Sequence, residues 1–207
     1  MGMNRGLIIF AREPIPGRVK TRLATSIGEV PAAEAYATML GNVIDTSRQM
    51  NDIGTVVFWD CDPVSLPILA ARYSCHSRRQ SPGDLGERMQ AAFEAMYAGG
   101  FGICCIIGSD APDLPVSYIQ EAFDLLIAQK TDVVFGPAED GGYYLLGMSR
   151  LWPQLFINID WSTPHVLCQS LAAAERSGIK TTLLPEWYDI DTQEDLEKFW
   201  TRNSGAL

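Results

Sequence analysis

Apolar positions along the chain follow two rhythms. Short, nearly continuous runs at Leu7–Ala11, Thr55–Trp59, Ile103–Ile107, Asp132–Phe135, Tyr143–Met148 and Thr181–Leu184 read as strands. Longer stretches between them repeat apolar residues at helical spacing. Pro31–Met50 does so through Tyr36, Met39, Leu40, Val43 and Ile44, and Leu85–Tyr97 through Leu85, Met89, Ala92, Phe93 and Met96. Pro115–Ala128 continues the pattern through Ile119, Ala122, Phe123 and Leu126. Pro63–Tyr73 and Pro164–Arg176 read as further helices, the second with Ser162 or Thr163 as its cap and Pro164 near its first turn. Thr192 opens a last helix, with Asp195 three residues on as its capping partner. Strands alternating with helices predict a three-layer α/β/α sandwich around a mostly parallel sheet. Without an internal repeat, low-complexity tract or linker, the expectation is one domain over residues 1–207.

Composition narrows the function classes. Apolar residues make up 47% and charged residues 20% of the 207, so the chain folds rather than staying disordered. Its 25 acids against 16 bases give a net charge of −9, which opposes nonspecific binding to nucleic acid or an anionic membrane. A phosphorylated ligand then needs a local cluster of cations or a metal. No run approaches the roughly 20 apolar residues of a membrane span. The Met1–Phe10 segment is too short for a secretory signal and runs into Arg12 and Glu13, so the cytoplasm is expected. Cys61, Cys75, Cys104, Cys105 and Cys168 are scattered without a C-x-x-C pair, which favours neither a disulfide frame nor a zinc site. Cys104 and Cys105 read as small core residues.

In sheets of this class ligands sit beyond the carboxyl ends of the strands, where strand order reverses. The loop after the first strand holds Arg12, Arg18, Lys20 and Arg22, four cations in an acidic chain. Gly17 lets backbone approach a ligand there, and Pro14 and Pro16 stiffen the loop. Backbone N–H groups with Lys and Arg suit a polyphosphate. It is not a P-loop, because Val19 precedes Lys20 and Ile15 holds the place of the earlier glycine. Gln80–Met89 carries Gly83, Leu85 and Gly86 before a helix, which fits either an anion site or an ordinary turn with Asp84 as the helix cap. Asp110 ends a buried strand, where an unpaired carboxylate is costly, and suits a magnesium ligand. Asp113 reads as the start of the next helix. Asp140-Gly141-Gly142 is either a plain turn or a loop against which a substrate lies, with Asp140 binding hydroxyls. Alternation puts Asp189 and Asp191 on one side of an extended segment, and near Asp110 they would complete a metal site. Trp161 reads as an acceptor-pocket wall or a core aromatic. His76 and His165 have no metal-ligand spacing or nucleophile partner, and neither G-x-S-x-G nor G-x-G-x-x-G occurs.

Taken in order, PIPGRVKTRLA, GDLGERM, IGSDAPDL, GPAEDGGYYLLG, WST and DIDTQEDL resemble the bacterial rSAM/selenodomain-associated transferases. That family is placed in the nucleotide-diphospho-sugar transferase superfamily, with a GT-A fold. It is also similar to the guanylyltransferases that activate phospholactate or phosphoenolpyruvate. The likeness runs from about Leu7 to Phe199. It implies that Arg12, Lys20 and Arg22 handle phosphate and that Gly83, Leu85 and Gly86 approach the nucleotide. It further implies that Asp110 and Asp191 bind the metal, with Asp189 a weaker match. Pro-x-Pro-Gly replaces the glycine-rich opening loop of sugar nucleotidyltransferases, and Asp110-Ala111-Pro112-Asp113 stands where many glycosyltransferases have Asp-x-Asp.

The expected protein is therefore a Mg²⁺- or Mn²⁺-dependent transferase taking a nucleotide-activated donor and a small-molecule acceptor. Lys20, Arg22 and Asp110 are its expected catalytic residues, and Asp140, Gly141, Gly142 and Trp161 its acceptor side. Two chemistries fit: glycosyl transfer from a nucleotide-diphospho-sugar, and nucleotidyl transfer from a nucleoside triphosphate to a phosphorylated acceptor. The superfamily favours the first; the guanylyltransferase likeness and Lys20 favour the second. A noncatalytic nucleotide or sugar sensor and a metal-dependent nucleotide phosphatase are rivals of other classes.

Overall fold

The structure is a computed structural model and describes residues 4–203; the first three and last four residues of the expected 1–207 span lie outside it. Seven strands form one sheet: β1 Arg5–Arg12, β2 Ile53–Asp60, β3 Ser77–Arg79, β4 Ile103–Ile107, β5 Val133–Pro137, β6 Tyr143–Met148 and β7 Thr181–Leu183. The helices are α1 Thr21–Ile27, α2 Glu29–Arg48, α3 Leu66–Arg72, α4 Leu85–Ala98, α5 Val116–Ile127, α6 Val166–Arg176 and α7 Gln193–Asn203, with a 3₁₀ turn at Pro153–Phe156. Strand order is β3-β2-β1-β4-β6-β5-β7. All pairings are parallel except those of β6, which runs antiparallel to both β4 and β5. The expected mostly parallel α/β sheet is present.

Both faces of the sheet are covered, which is why its central strands lack polar positions. Leu7, Ile9 and Ala11 of β1 join one apolar cluster with Tyr36, Met39 and Leu40 of α2 and Ile119 and Phe123 of α5. The intervening Ile8 faces the other cluster, with Met89 and Phe93 of α4, Phe156 of the 3₁₀ turn and Ala174 of α6. Cys104 and Cys105 of β4 are fully buried, one in each cluster, as small apolar residues.

The elements missed by periodicity are those with little buried apolar surface. Of α1 only Leu23 is buried, and Arg78 and Arg79 of the edge strand β3 are exposed. The α3 helix begins at Leu66 rather than Pro63, because the Ser65 N–H turns back onto the Asp62 carbonyl. The start of α6 also needs correction. His165 is its N-cap; Thr163 Oγ1 accepts from the His165 N–H at 3.3 Å, just ahead of the helix, and donates to the Asp160 carbonyl. Asp195 caps α7 as expected: Oδ2 accepts from the Thr192 N–H at 2.9 Å and from the Thr192 hydroxyl at 2.7 Å.

The chain leaves β1 toward β2 and β3 on one side, then returns to lay β4 on the other. The carboxyl ends of β1 and β4 therefore diverge at a switch in strand order, and a cleft opens there.

Candidate active site

The cleft measures about 670 Å³ and is lined from the β1 loop, α1, the start of α4, and the segments after β4, β5 and the 3₁₀ turn. At its centre lies Lys20. Its Nζ is 2.6 Å from Asp110 Oδ1 and 2.9 Å from Asp191 Oδ1, and its side chain is 4% exposed. Two acids 81 positions apart in the chain are thus bonded to one ammonium. Burial works against that charge, but Asp110 and Asp191 outweigh it and hold the Lys20 pKa above the ordinary lysine value. The backbone at Lys20 is left-handed, φ 47° and ψ 46°, an uncommon conformation for a residue with a Cβ. Val19 and Leu23, both buried, fix the chain on either side of it. Such local strain persists only where packing over-determines it, and it gathers at functional sites.

The second acid arrives through a backbone clamp. Ile190 is fully buried, and its N–H donates to the Asp110 carbonyl at 2.9 Å. Asp189 and Asp191, its neighbours, both line the cleft, as alternation requires. Burial, then the charge of Asp110, push the Asp189 carboxyl up to about 7. Lys20 pulls it the other way, and Asp140 and Asp191 add to the rise. One buried ammonium is therefore outnumbered by four carboxylates. Arg22 Nη1 lies 3.6 Å from Asp191 Oδ2 and is otherwise open to solvent, and Arg12 lines the same rim. Among the described residues no group of three or more His, Cys, Asp or Glu side chains is placed to hold a metal ion together, so the expected three-acid site of Asp110, Asp189 and Asp191 is not assembled. Two carboxylates are nonetheless the protein share typical of a magnesium site completed by phosphate oxygens and water.

Residues 44–163, more than half of the chain, match the family described as "Uncharacterized protein conserved in bacteria (DUF2064)". The chain belongs to this family. Its fold is that of a Desulfovibrio desulfuricans G20 protein described as a "putative nucleotide-diphospho-sugar transferase", with a TM-score of 0.91 and 29% identity over all of this chain and 90% of that one. The fold is shared more distantly with CMP:2-keto-3-deoxy-manno-octonic acid synthetase in complex with CTP (TM-score 0.64, 14% identity, 99% of this chain and 100% of that one). A cytidylyltransferase from Leptospira borgpetersenii serovar Hardjo-bovis also shares it (TM-score 0.64, 17% identity, 99% and 88%). These structural neighbours include nucleotide-sugar and nucleotidyl transferases. No curated protein matches the chain.

The other predicted residues divide between this DUF2064 cleft and its supports. Leu85, Asp140, Gly142 and Trp161 line the cleft with Arg12, Lys20, Arg22, Asp110, Asp189 and Asp191. Gly17, Gly83, Gly86 and Gly141 do not line it and shape the loops around it. Gly17 takes φ 77° beside the Glu29 carboxylate. Gly83 accepts at its carbonyl from Arg88 Nε at 2.8 Å. A Cβ on Gly86 would stand 2.5 Å from the Trp161 indole nitrogen, so this glycine makes room for the indole. Gly141 lies against the backbone of Pro164. Asp113 does not start a helix; Pro115 is the N-cap, and Asp113 accepts from the Tyr188 hydroxyl. Asp84 caps α4 in a box with Glu87. Arg18 is exposed outside the cleft, and His165 is exposed at its N-cap.

Sequence reasoning missed three supports. The Tyr36 hydroxyl accepts from the Arg12 N–H and bonds Ser109 Oγ, each at 2.9 Å, tying β1 to the Asp110 loop. Burial, then the Asp110 charge, raise its pKa well above the ordinary range, so it stays a neutral bridge. A tyrosine in a buried helical stripe must find a partner for its hydroxyl, which was the available signal. Gln80 donates to the Ala11 and Phe58 carbonyls at 3.2 and 3.0 Å, closing the ends of β1 and β2. Gln169 exchanges two 2.7 Å hydrogen bonds with Asp160 and so fixes the loop that carries Trp161.

Proposed function

We propose that this chain is a metal-dependent transferase using a nucleotide-activated donor, with glycosyl transfer from a nucleotide-diphospho-sugar as the leading chemistry. The observation that carries this reading is the meeting of Asp110 and Asp191 on Lys20, beside Arg12 and Arg22. Asp110 and Asp191 would hold Mg²⁺ or Mn²⁺, with Asp189 alongside. Their hard oxygen donors suit such an ion, and the surplus of carboxylate charge over Lys20 favours an added cation. When bound, the ion neutralises charge on the phosphate oxygens of the leaving group.

The chain's own residues supply the rest. Arg12 and Arg22 orient the diphosphate at the rim, and Lys20 stabilises negative charge as it develops. Asp140, the Gly142 backbone and Trp161 face the transferred group or acceptor. Positioning and fixed charges, rather than a covalent intermediate, then lower the barrier. The end-to-end likeness to the Desulfovibrio protein supports a sugar donor, as does the finer resemblance to the rSAM/selenodomain-associated transferases. A cytoplasmic setting suits a nucleotide donor, and no helix among the described residues is long and apolar enough to cross a membrane. A second reading, nucleotidyl transfer with pyrophosphate leaving, is favoured by the fold shared with a synthetase holding CTP.

A thermal-shift panel of nucleotides and nucleotide sugars, with and without Mn²⁺, tests the reading. A bound donor raises the melting temperature by mass action. Release of nucleoside diphosphate marks glycosyl transfer, pyrophosphate marks nucleotidyl transfer, and orthophosphate alone marks a phosphatase. Asp110→Asn should lose turnover by orders of magnitude. A panel in which no nucleotide shifts the melting point with any metal would end this reading, and binding without turnover would mark a sensor.

A further inference from the structure

Asp191 lies on a segment outside the seven strands, joined to the sheet by an isolated bridge between Trp187 and Ala138. Its spacing from Asp110 therefore depends on ties between loops. One tie is the Ile190 N–H on the Asp110 carbonyl at 2.9 Å. A single bond of this kind leaves the segment free to swing about it. A second tie lies beside the first: the Tyr188 hydroxyl donates to Asp113 Oδ2. Asp113 stands three residues after Asp110, and Tyr188 three residues before Asp191, so the two ties frame both acids.

Each end of the second tie is itself held. The Leu114 N–H closes a turn on the Ala111 carbonyl at 3.2 Å, which fixes Asp113 relative to Asp110. Ala111, Leu114, Tyr188 and Ile190 belong to one buried cluster. Arg202 of α7 lies over the Tyr188 ring, 4.7 Å from its centroid. Trp187 packs on the same ring at 5.5 Å and meets Tyr118 of α5 edge-on at 5.6 Å. Stability does not account for a carboxylate at position 113. Its Oδ1 is buried and finds no hydrogen-bond partner among the described residues. Burying an unpaired carboxylate oxygen destabilises a fold, and an apolar side chain would avoid that cost. What the carboxylate provides is an acceptor for Tyr188.

We propose that Asp113 and Tyr188 are positioning residues: their hydrogen bond sets the distance between Asp110 and Asp191, and with it the seat that Lys20 occupies between them. For its catalytic consequence this rests on the transferase reading, in which the same two acids hold the cation. Neither residue touches the ligand; both act through Asp110 and Asp191. Partners that orient ligating carboxylates commonly change metal affinity by about 10–100-fold.

Proton exchange of the lysine ammonium groups with water, followed by ¹⁵N NMR on the full chain, reads that seat directly. The chain has four lysines, and Lys130, Lys180 and Lys198 are exposed, so the Lys20 signal stands apart. Tyr188→Phe keeps the ring and removes only the hydroxyl. It should speed exchange at Lys20 about fivefold, as the loss of an ordinary hydrogen bond would. It should also weaken calorimetric binding of Mg²⁺ with pyrophosphate by about tenfold. Asp113→Ala should do the same, whereas Asp113→Asn, whose side-chain carbonyl still accepts from Tyr188, should restore both toward wild type. Tyr97→Phe is the control: it removes a hydroxyl bonded to the Met148 carbonyl at 2.9 Å, and neither residue lines the cleft. It should lower the melting temperature and leave Lys20 exchange unchanged. The inference is overturned if Tyr188→Phe leaves Lys20 exchange at the wild-type rate, if Asp113→Asn is as impaired as Asp113→Ala, or if Tyr97→Phe speeds exchange equally. Should Asp113→Ala fail to fold, Tyr188→Phe decides alone. The transferase reading is judged apart, since a wild type that binds no Mg²⁺ with pyrophosphate counts against it while Lys20 exchange still decides the brace.

Discussion

Two lysines of this chain make ion pairs of similar length in opposite surroundings. Lys198 Nζ lies 3.1 Å from Glu194 Oε1 one turn away on α7, with 56% of its side chain exposed. Lys20 Nζ lies 2.6 Å from Asp110 and 2.9 Å from Asp191, with 4% exposed, and its partners come from distant parts of the chain. At the surface, water solvates both partners whether or not they meet, so the pair adds little. In the cleft, the ammonium has been taken out of water and must be held by its acids, while those acids keep part of their solvent contact. Distance alone does not distinguish a structural decoration from a working site; burial and the number of partners do.

The largest effect should come from Lys20→Met. It removes the charge shared by Asp110 and Asp191, and turnover should fall by about 10²–10³, as when a single charge-stabilising donor is lost. The same variant sharpens the comparison. Its melting temperature should rise more on adding Mg²⁺ than that of the wild type, because the cation takes the ammonium's place between the carboxylates. An identical Mg²⁺ response in both proteins would mean that the acids are not a cation site.

Gly86→Ala comes next. Its Cβ would stand 2.5 Å from the Trp161 indole, and overpacking of this kind costs about 1–3 kcal/mol. Chemical denaturation measures that loss, and Trp161 fluorescence should change with it. Tyr36→Phe should cost about 1–3 kcal/mol, since it leaves the Arg12 N–H and Ser109 Oγ without their shared partner inside the protein. A melting temperature equal to the wild type would show that water replaces the hydroxyl.

Asp195→Ala should cost about 0.5–2 kcal/mol by uncapping α7. Burial opposes ionisation of Asp195, but the hydrogen bonds from Thr192 and Asp191 outweigh it and lower its pKa. A lowered folded-state pKa contributes stability above the unfolded value of about 3.9 and loses it as pH falls through the folded value. The difference between wild type and Asp195→Ala, followed by denaturation against pH, should therefore be constant at neutral pH and shrink below about pH 4. Smallest of all, Lys198→Ala should leave the melting temperature unchanged, which completes the contrast with Lys20.

Much of the fold was legible because periodicity records burial. The boundaries of β4 and β6 and the capping of α7 by Asp195 follow from local pattern and local hydrogen bonds. The polar edge strand β3 and the short α1 were not legible, because each buries too little apolar surface to leave a period. In the site, the basic loop and the acids at Asp110, Asp189 and Asp191 stand out by residue type and by position after strands. Their contacts do not. The sequence contains no sign that Lys20 turns left-handed and pairs with two acids rather than facing a phosphate. Nor does it reveal that Gly86 makes room for Trp161 and Arg88 turns away toward Asp60.

By itself, then, the sequence determined the alternation of strands and helices, the helix ends that cap themselves, and the supply of charge at the strand ends. These depend on neighbours within a few residues, where covalent geometry and burial leave a readable trace. Only the tertiary structure decided which charges meet and which glycines yield space to an aromatic ring. Those outcomes depend on strand order and on the Ile190–Asp110 backbone bond, which join segments that have no local reason to find one another.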